Sequence, residues 1–189
     1  MGLTSRTLLW LFIINLGIAL GAGLYEARIT IPTWLDTVGA SAPQWNATAA
    51  QHDDTGRRFW VFVTTVPLTL LTLVNLVAAW RATGEVRFWW LGAALFALGD
   101  RALTLGYFIP TMVRLMRAGP SAEATEAAVR WASLNNVRHV LLFLALLAAL
   151  QAFAKMYAAR GTTAARTRAA PVDVTQSAFP RVAGERDAG

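Results

Sequence analysis

Residues 88–116, FWWLGAALFALGDRALTLGYFIPTMVRLM, place the strongest constraint on what this chain can fold into. The run is apolar and long enough to cross a bilayer as a helix, yet Asp100 and Arg101 stand well inside it. A charge at the centre of the hydrocarbon costs at least about 2.5–3.5 kcal/mol on insertion scales. Other helices must therefore close over these groups and supply partners. On a helix, Asp100, Thr104, Tyr107, Thr111 and Arg114 recur at i, i+4, i+7, i+11 and i+14, which is one face. Arg101 and Phe108 fall on the neighbouring stripe, about 100° further round.

Further apolar runs surround this one. The first, 7–25, holds about 19 residues and spans roughly 30 Å as a helix. A cleaved signal peptide with Arg6 as its basic start is the rival reading, but the run is long and no clean A-x-A site follows it. Asn15, inside that run, is expected to hydrogen-bond another helix, and Gly17 with Gly21 makes a GxxxG spacing suited to close helix packing. The second run, 59–80, contains Pro67, whose freed carbonyl a neighbouring helix can satisfy. Asn75 is expected to be structural. The run 88–109 follows a polar turn, with Trp89 and Trp90 as interface anchors. Ser121 is a fair N-cap for a helix that continues into the last span, 137–158.

These signals predict an all-α fold: an integral membrane four-helix bundle over 1–160. A long extracytoplasmic loop, 26–58, joins the first two helices. Its Trp34 and Trp45 are expected at the membrane interface rather than on a ligand. Asn46-Ala47-Thr48 matches a glycosylation sequon, a match too short to carry weight. Residues 161–189, rich in Ala, Thr and Arg with Pro171 and Pro180, read as a disordered cytoplasmic tail. Basic residues at the helix ends put both termini in the cytoplasm of a multi-pass cell-membrane protein.

Composition narrows the chemistry. The sequence is 56% hydrophobic over 189 residues, with mean hydropathy +0.44, which fits the membrane class. The net charge of +6 comes from basic residues scattered over helix ends and tail. They form no aromatic-interleaved patch, which argues against nucleic acid. There is no Cys, so thiol nucleophiles, disulfide redox pairs and Cys-ligated metals are excluded. His52 and His139 are the only imidazoles, so no multi-His metal site is expected.

Depth along the helices brings the polar residues together. Asp100 lies about 18 Å past Phe88, just beyond the midplane. Glu26 ends the first run on the outer side, and Asn135, Arg138 and His139 open the last run there. Glu26, Asp100, Arg101, Tyr107, Arg138 and His139 are thus placed to line one cavity in the outer half of the bundle, a functional-site hypothesis by default. The competing reading is that Asp100 pairs with Arg138, and Glu26 with Arg101 or Arg114, to fix helix register.

At these residues the chain resembles a known family. GLYEARITIPTW (23–34), DRALTLGYFIPTMVRLM (100–116) and WASLNNVRHVL (131–141) are similar to segments of small four-helix membrane proteins that include the anthrone oxygenases. Most members of that family have no assigned activity. The resemblance covers roughly residues 7–158, and its W-x-x-x-N-x-x-R element is matched by Trp131, Asn135 and Arg138. It implies oxidation of an anthrone-like or quinone-like molecule with no metal, flavin or other cofactor.

Such a route needs a base for an acidic C–H or O–H proton. His139 is the candidate, with Glu26 or Asp100 as second choice. Arg138 and Arg101 would stabilise the anion. Trp131 and Tyr107 would stack on the rings, with Asn135 and Thr111 as further substrate contacts. The partners implied are membrane lipid and an apolar aromatic small molecule. The alternative is a non-catalytic accessory or assembly protein with a filled polar cluster. Four spans and no broken-helix pair make a transporter less apt.

Overall fold

A computed structural model describes residues 3–35, 42–52 and 58–169. All regular structure among them is helical: α1 (Leu3–Tyr25), α2 (Ile31–Trp34), α3 (Ala47–His52), α4 (Val66–Trp80), α5 (Gly84–Leu103), α6 (Ile109–Leu115) and α7 (Ala122–Ala169), with π-helical turns at Glu26–Thr30, Trp60–Thr65 and Thr104–Phe108. Residues 1–156 form one compact unit and 157–189 another. Within the second, the described residues are the end of α7. That helix runs to Ala169, past Arg160, where the sequence reading begins its disordered tail. The remainder of that tail, 170–189, lies outside the described residues.

Each π turn precedes an Ile-Pro or Val-Pro step: Pro32, Pro67 and Pro110. A proline inside a helix lacks the N–H for the carbonyl four residues earlier and its ring clashes with that carbonyl. Widening the preceding turn to i→i−5 bonding moves the carbonyl away. Accordingly the N–H groups of Ile31, Val66 and Ile109 reach back to Glu26, Val61 and Thr104. For Pro67 the carbonyl four residues back is Val63, and Asn15 Nδ2 donates to it at 2.9 Å. The polar residue inside the first apolar run thus satisfies the backbone group that the second gives up.

The first helical rod therefore continues well beyond Tyr25. Among the described residues, three helices are long and apolar enough to cross a membrane: Thr4–Trp34, Trp60–Trp80 and Ala122–Ala158. The expected span 88–109 is not among them, because Asp100 and Arg101 break the apolarity of its rod. Large apolar side chains such as Phe62, Leu70, Val77, Val140 and Phe143 point outward and are exposed. A water-soluble monomer rarely shows so much contiguous apolar surface; it fits a membrane protein.

The main core draws on α1, α4, α5 and α7. Leu9, Phe12 and Leu16 pack with Leu68, Trp90, Ala93, Ala97, Leu142, Ala145 and Ala149. Ala93 and Ala97 of α5 and Ala145, Ala148, Ala149 and Ala152 of α7 belong to this one core, small residues of the kind found where membrane helices meet. Trp90 is fully buried and its indole N–H donates to Asn75 Oδ1 at 3.0 Å. Asn75 is structural, as expected, but Trp90 is a core residue and not an interface anchor. The GxxxG expectation also fails within this chain: a Cβ on Gly17 or Gly21 would meet nothing within 4 Å. Gly84, at φ +65°, sits in the left-handed region that lets α4 turn tightly into α5.

A second core covers the other end. Ile31, Trp34, Trp45, Phe108, Leu115, Ala128 and Trp131 pack together. Trp45 is pinned by its backbone N–H to Thr125 Oγ1 and its indole to the Leu115 carbonyl. Trp34 and Trp45 are 6% and 4% exposed. The loop tryptophans are therefore the core of a cap, because folding the segment back over α6 and α7 buries them more completely than the interface would. Asn46 Oδ1 caps α3 by accepting from the Ala49 N–H. At α7, Ser121 Oγ accepts from the Ala124 N–H, the expected N-cap.

Candidate functional site

The site lies where α5 meets the middle of α7, just beneath the cap. Asp100 is fully buried. Arg101 folds back to bind Asp100 Oδ2 through Nε and Nη2, the Nε bond measuring 2.9 Å. Arg138 Nε reaches Asp100 Oδ1 at 3.1 Å, and its Nη1 donates to Asn135 Oδ1 at 3.0 Å. The guanidinium of Arg138 also lies over the Phe108 ring, 4.8 Å from its centroid. One carboxylate thus holds two guanidinium groups, and the triad carries a net charge of +1 in a buried setting. Charge-assisted bonds of this kind are the strong ones, and they make the donor array rigid.

Two buried donors around this triad, Arg101 Nη1 and Asn135 Nδ2, have no hydrogen-bond partner, and His139 Nε2 has none beyond the Gly23 backbone that its ring lies against. Their residues are only 3%, 1% and 8% exposed. Buried polar groups are nearly always satisfied, so such atoms mark a place where something else binds or where strain is kept. His139 lies against α1: a Cβ on Gly23 would sit 2.8 Å from its Nε2. Glycine at position 23 is what admits the imidazole.

Aromatic side chains form the wall on the cap side. Trp131 donates its indole N–H to the Phe108 carbonyl at 3.1 Å. Its ring packs on Phe108 at 5.6 Å and on Trp34 at 6.3 Å. Glu26, half-buried in the first π turn, lies beside the Trp60 indole and in the field of Arg138.

The structure brings Asp100, Arg101, Asn135, Arg138 and His139 together, with Trp131 adjacent and Glu26 at the edge. The expected pairing of Asp100 with Arg138 is present, whereas Arg101 turns to Asp100 and not to Glu26. Thr111 and Tyr107 are not brought to the cluster. Thr111 is buried about 16 Å further along the helix, where its hydroxyl accepts from Arg114 at 3.4 Å. Tyr107 is half-buried with its ring edge-on to Phe108. Thr111 keeps its place on the inward face and is separated from the cluster by that distance alone, whereas Tyr107 loses its place because the π turn at Thr104–Phe108 inserts an extra residue and brings Phe108 inward instead. The inward series becomes Thr104, Phe108, Thr111 and Leu115, and Arg114 turns outward.

Among the described residues no group of three or more His, Cys, Asp or Glu is placed to hold a metal ion. No family model matches this chain, and neither a similar curated protein nor a similar solved structure is found for it.

Proposed function

We propose that the chain is a four-helix integral membrane protein of anthrone-oxygenase-like type, multi-pass in the cell membrane with both termini cytoplasmic. In this reading it takes an apolar aromatic or quinone-like molecule from the lipid and holds one of its oxygens beside the Asp100–Arg101–Arg138 triad. The observation that supports it is the pair of buried, unpartnered donors Arg101 Nη1 and Asn135 Nδ2, with the His139 ring beside them, around a fixed positive charge. Two donors and a titratable ring nitrogen suit an oxygen that gains negative charge when a neighbouring proton leaves.

The chemistry follows from these roles. His139 takes a proton from an acidic C–H or O–H. Arg101, Arg138 and Asn135 stabilise the resulting oxyanion, and the Trp131–Phe108 wall orients the rings. Dioxygen is the oxidant: a ring CH2 and O2 become a ring C=O and water, a four-electron oxidation that needs no resident cofactor.

A second reading has its own support. Both oxygens of Asp100 are taken by arginines, and Asn135 supports one of them. Such filled pairing suits an accessory or assembly protein in which the charges only fix helix register.

Mass spectrometry of organic extracts from purified wild type, His139→Ala and Arg138→Ala separates the two. An aromatic or quinone-like molecule present in wild type and lost from folded variants supports the pocket. No such molecule in any sample, with variants that fail to stay folded, supports the register role.

A further inference from the structure

We infer that an open groove between the start of α1 and the end of α4 holds one acyl chain of an anionic phospholipid, with the phosphate on Arg81. The groove is about 780 Å³ and is lined by Ser5, Leu8, Leu73, Val77, Arg81 and Thr83 among others. That volume is in the range of sites that take drug-sized or lipid-sized ligands. Its walls are aliphatic along α4 from Leu73 to Ala78, about 8 Å of helix. Its polar groups are Ser5, in the first turn of α1, and Arg81 and Thr83, just past the end of α4.

Charge and level together select the occupant. Arg81 is exposed, and among the described residues no carboxylate pairs with it. Beside it, Trp80 is 67% exposed with the Arg87 guanidinium stacked on its ring at 5.2 Å, and Phe88 is 71% exposed. Outward aromatic rings with neighbouring arginines mark the headgroup level of a bilayer. Arg81 therefore sits where phosphates lie, and the aliphatic walls run from there toward the acyl region. A zwitterionic headgroup satisfies the walls but brings no net negative charge to Arg81, whereas an anionic phospholipid satisfies both. The inference rests on the membrane reading and is independent of the Asp100 cluster.

The test is native mass spectrometry of the full chain released from detergent. It is titrated with phosphatidylglycerol and, separately, with phosphatidylcholine of the same acyl chains. Wild type is expected to retain one phosphatidylglycerol about five-fold more strongly, the size of one basic side chain at an anionic surface. Arg81→Gln abolishes that preference and Arg87→Gln, outside the groove, keeps it. Val77→Trp, or Val74→Trp where the first lowers expression, plugs the groove and removes both lipids with the unfolding temperature unchanged. Equal retention of the two lipids by wild type overturns the proposal, as does a preference that survives Arg81→Gln. A free fatty acid that co-purifies with wild type and is lost from the plugged variant overturns the phospholipid assignment. None of these outcomes depends on whether His139 and Arg138 hold a ligand.

Discussion

Arg138 on α7 donates Nε to Asp100 Oδ1 on α5 at 3.1 Å, joining positions 38 residues apart, while Arg101 closes the other side of the same carboxylate. Asp100 therefore offsets one of the two guanidinium charges while hydrogen-bonding to both. Asp100→Asn leaves two buried guanidinium groups against a neutral amide. The expected cost is about 3–5 kcal/mol, the range for removing one partner of a buried pair. It is read as a fall in unfolding temperature in detergent. Replacing the whole triad by apolar side chains, Asp100→Leu with Arg101→Met and Arg138→Met, restores most of that loss, because no charge remains to be left unpaired.

Asn15 and Val63 show how far the sequence could be read. A lone Asn in one apolar run and a Pro in another signalled an interhelical bond, and the Asn15 amide does meet the carbonyl that Pro67 leaves without its usual N–H. Asn15→Ala strands that carbonyl and should cost about 1–3 kcal/mol. Pro67→Ala in the same background should return part of it, since the new N–H can pair within the helix. A double-mutant cycle on unfolding temperature measures the coupling.

Other features were not legible, for stated reasons. The meeting of Asp100 with Arg138 is legible because both lie at a similar depth, in the outer half of their helices. The Arg101 bond to Asp100 was missed because adjacent positions were assigned to separate stripes, while a long guanidinium side chain can curl back to its neighbour. Tyr107 is not legible because a uniform 3.6-residue period does not hold through Thr104–Phe108, where the helix widens, and Thr111, on the right face, lies too far along the helix. Trp34, Trp45 and Trp90 were put at the interface by residue type. Their burial depends on which segment folds over them, which no local pattern encodes.

Gly23 leaves open the space that the His139 ring needs. A Cβ at position 23 would come within 2.8 Å of Nε2 and 3.1 Å of Cδ2. Gly23→Ala should push the imidazole aside at a cost of about 1–3 kcal/mol, as for other overpacked cores. His139→Ala makes room, so the double variant should be more stable than Gly23→Ala alone. Additive losses in unfolding temperature would show that the ring accommodates the methyl group.

The other end of the rods carries a pH-sensitive contact. Lys155 Nζ lies 2.6 Å from Glu85 Oε2. The hydrogen bond from Lys155, and then its charge, hold the Glu85 carboxyl below its ordinary value of 4.5. A group whose folded pKa is depressed contributes stability above its unfolded pKa and loses it as pH falls through the folded value. The difference in unfolding temperature between wild type and Glu85→Gln should be positive at neutral pH. It should shrink to nothing as the solution is taken below the ordinary carboxylate range. A difference that stays constant through that range would mean the pair does not form in solution.

Asn135 separates a binding role from a scaffolding one. Its Oδ1 accepts from Arg138 at 3.0 Å, whereas its Nδ2 is buried with no partner. Asn135→Asp keeps the acceptor, removes the stranded donor and lowers the net charge of the cluster from +1 to zero. If the cluster only fixes helix register, the variant should be as stable as wild type or more so, since a buried unsatisfied donor costs about 1–3 kcal/mol. Nothing else should change. If the cluster holds the oxygen of a ligand, the same variant should keep or gain unfolding temperature yet lose the bound molecule, because a second carboxylate repels the anion that Nδ2 and Arg101 Nη1 would receive. A gain in stability coupled to a loss of ligand is what a site kept under strain for function predicts. Measuring both quantities on one preparation distinguishes the two roles, since scaffolding predicts no ligand to lose.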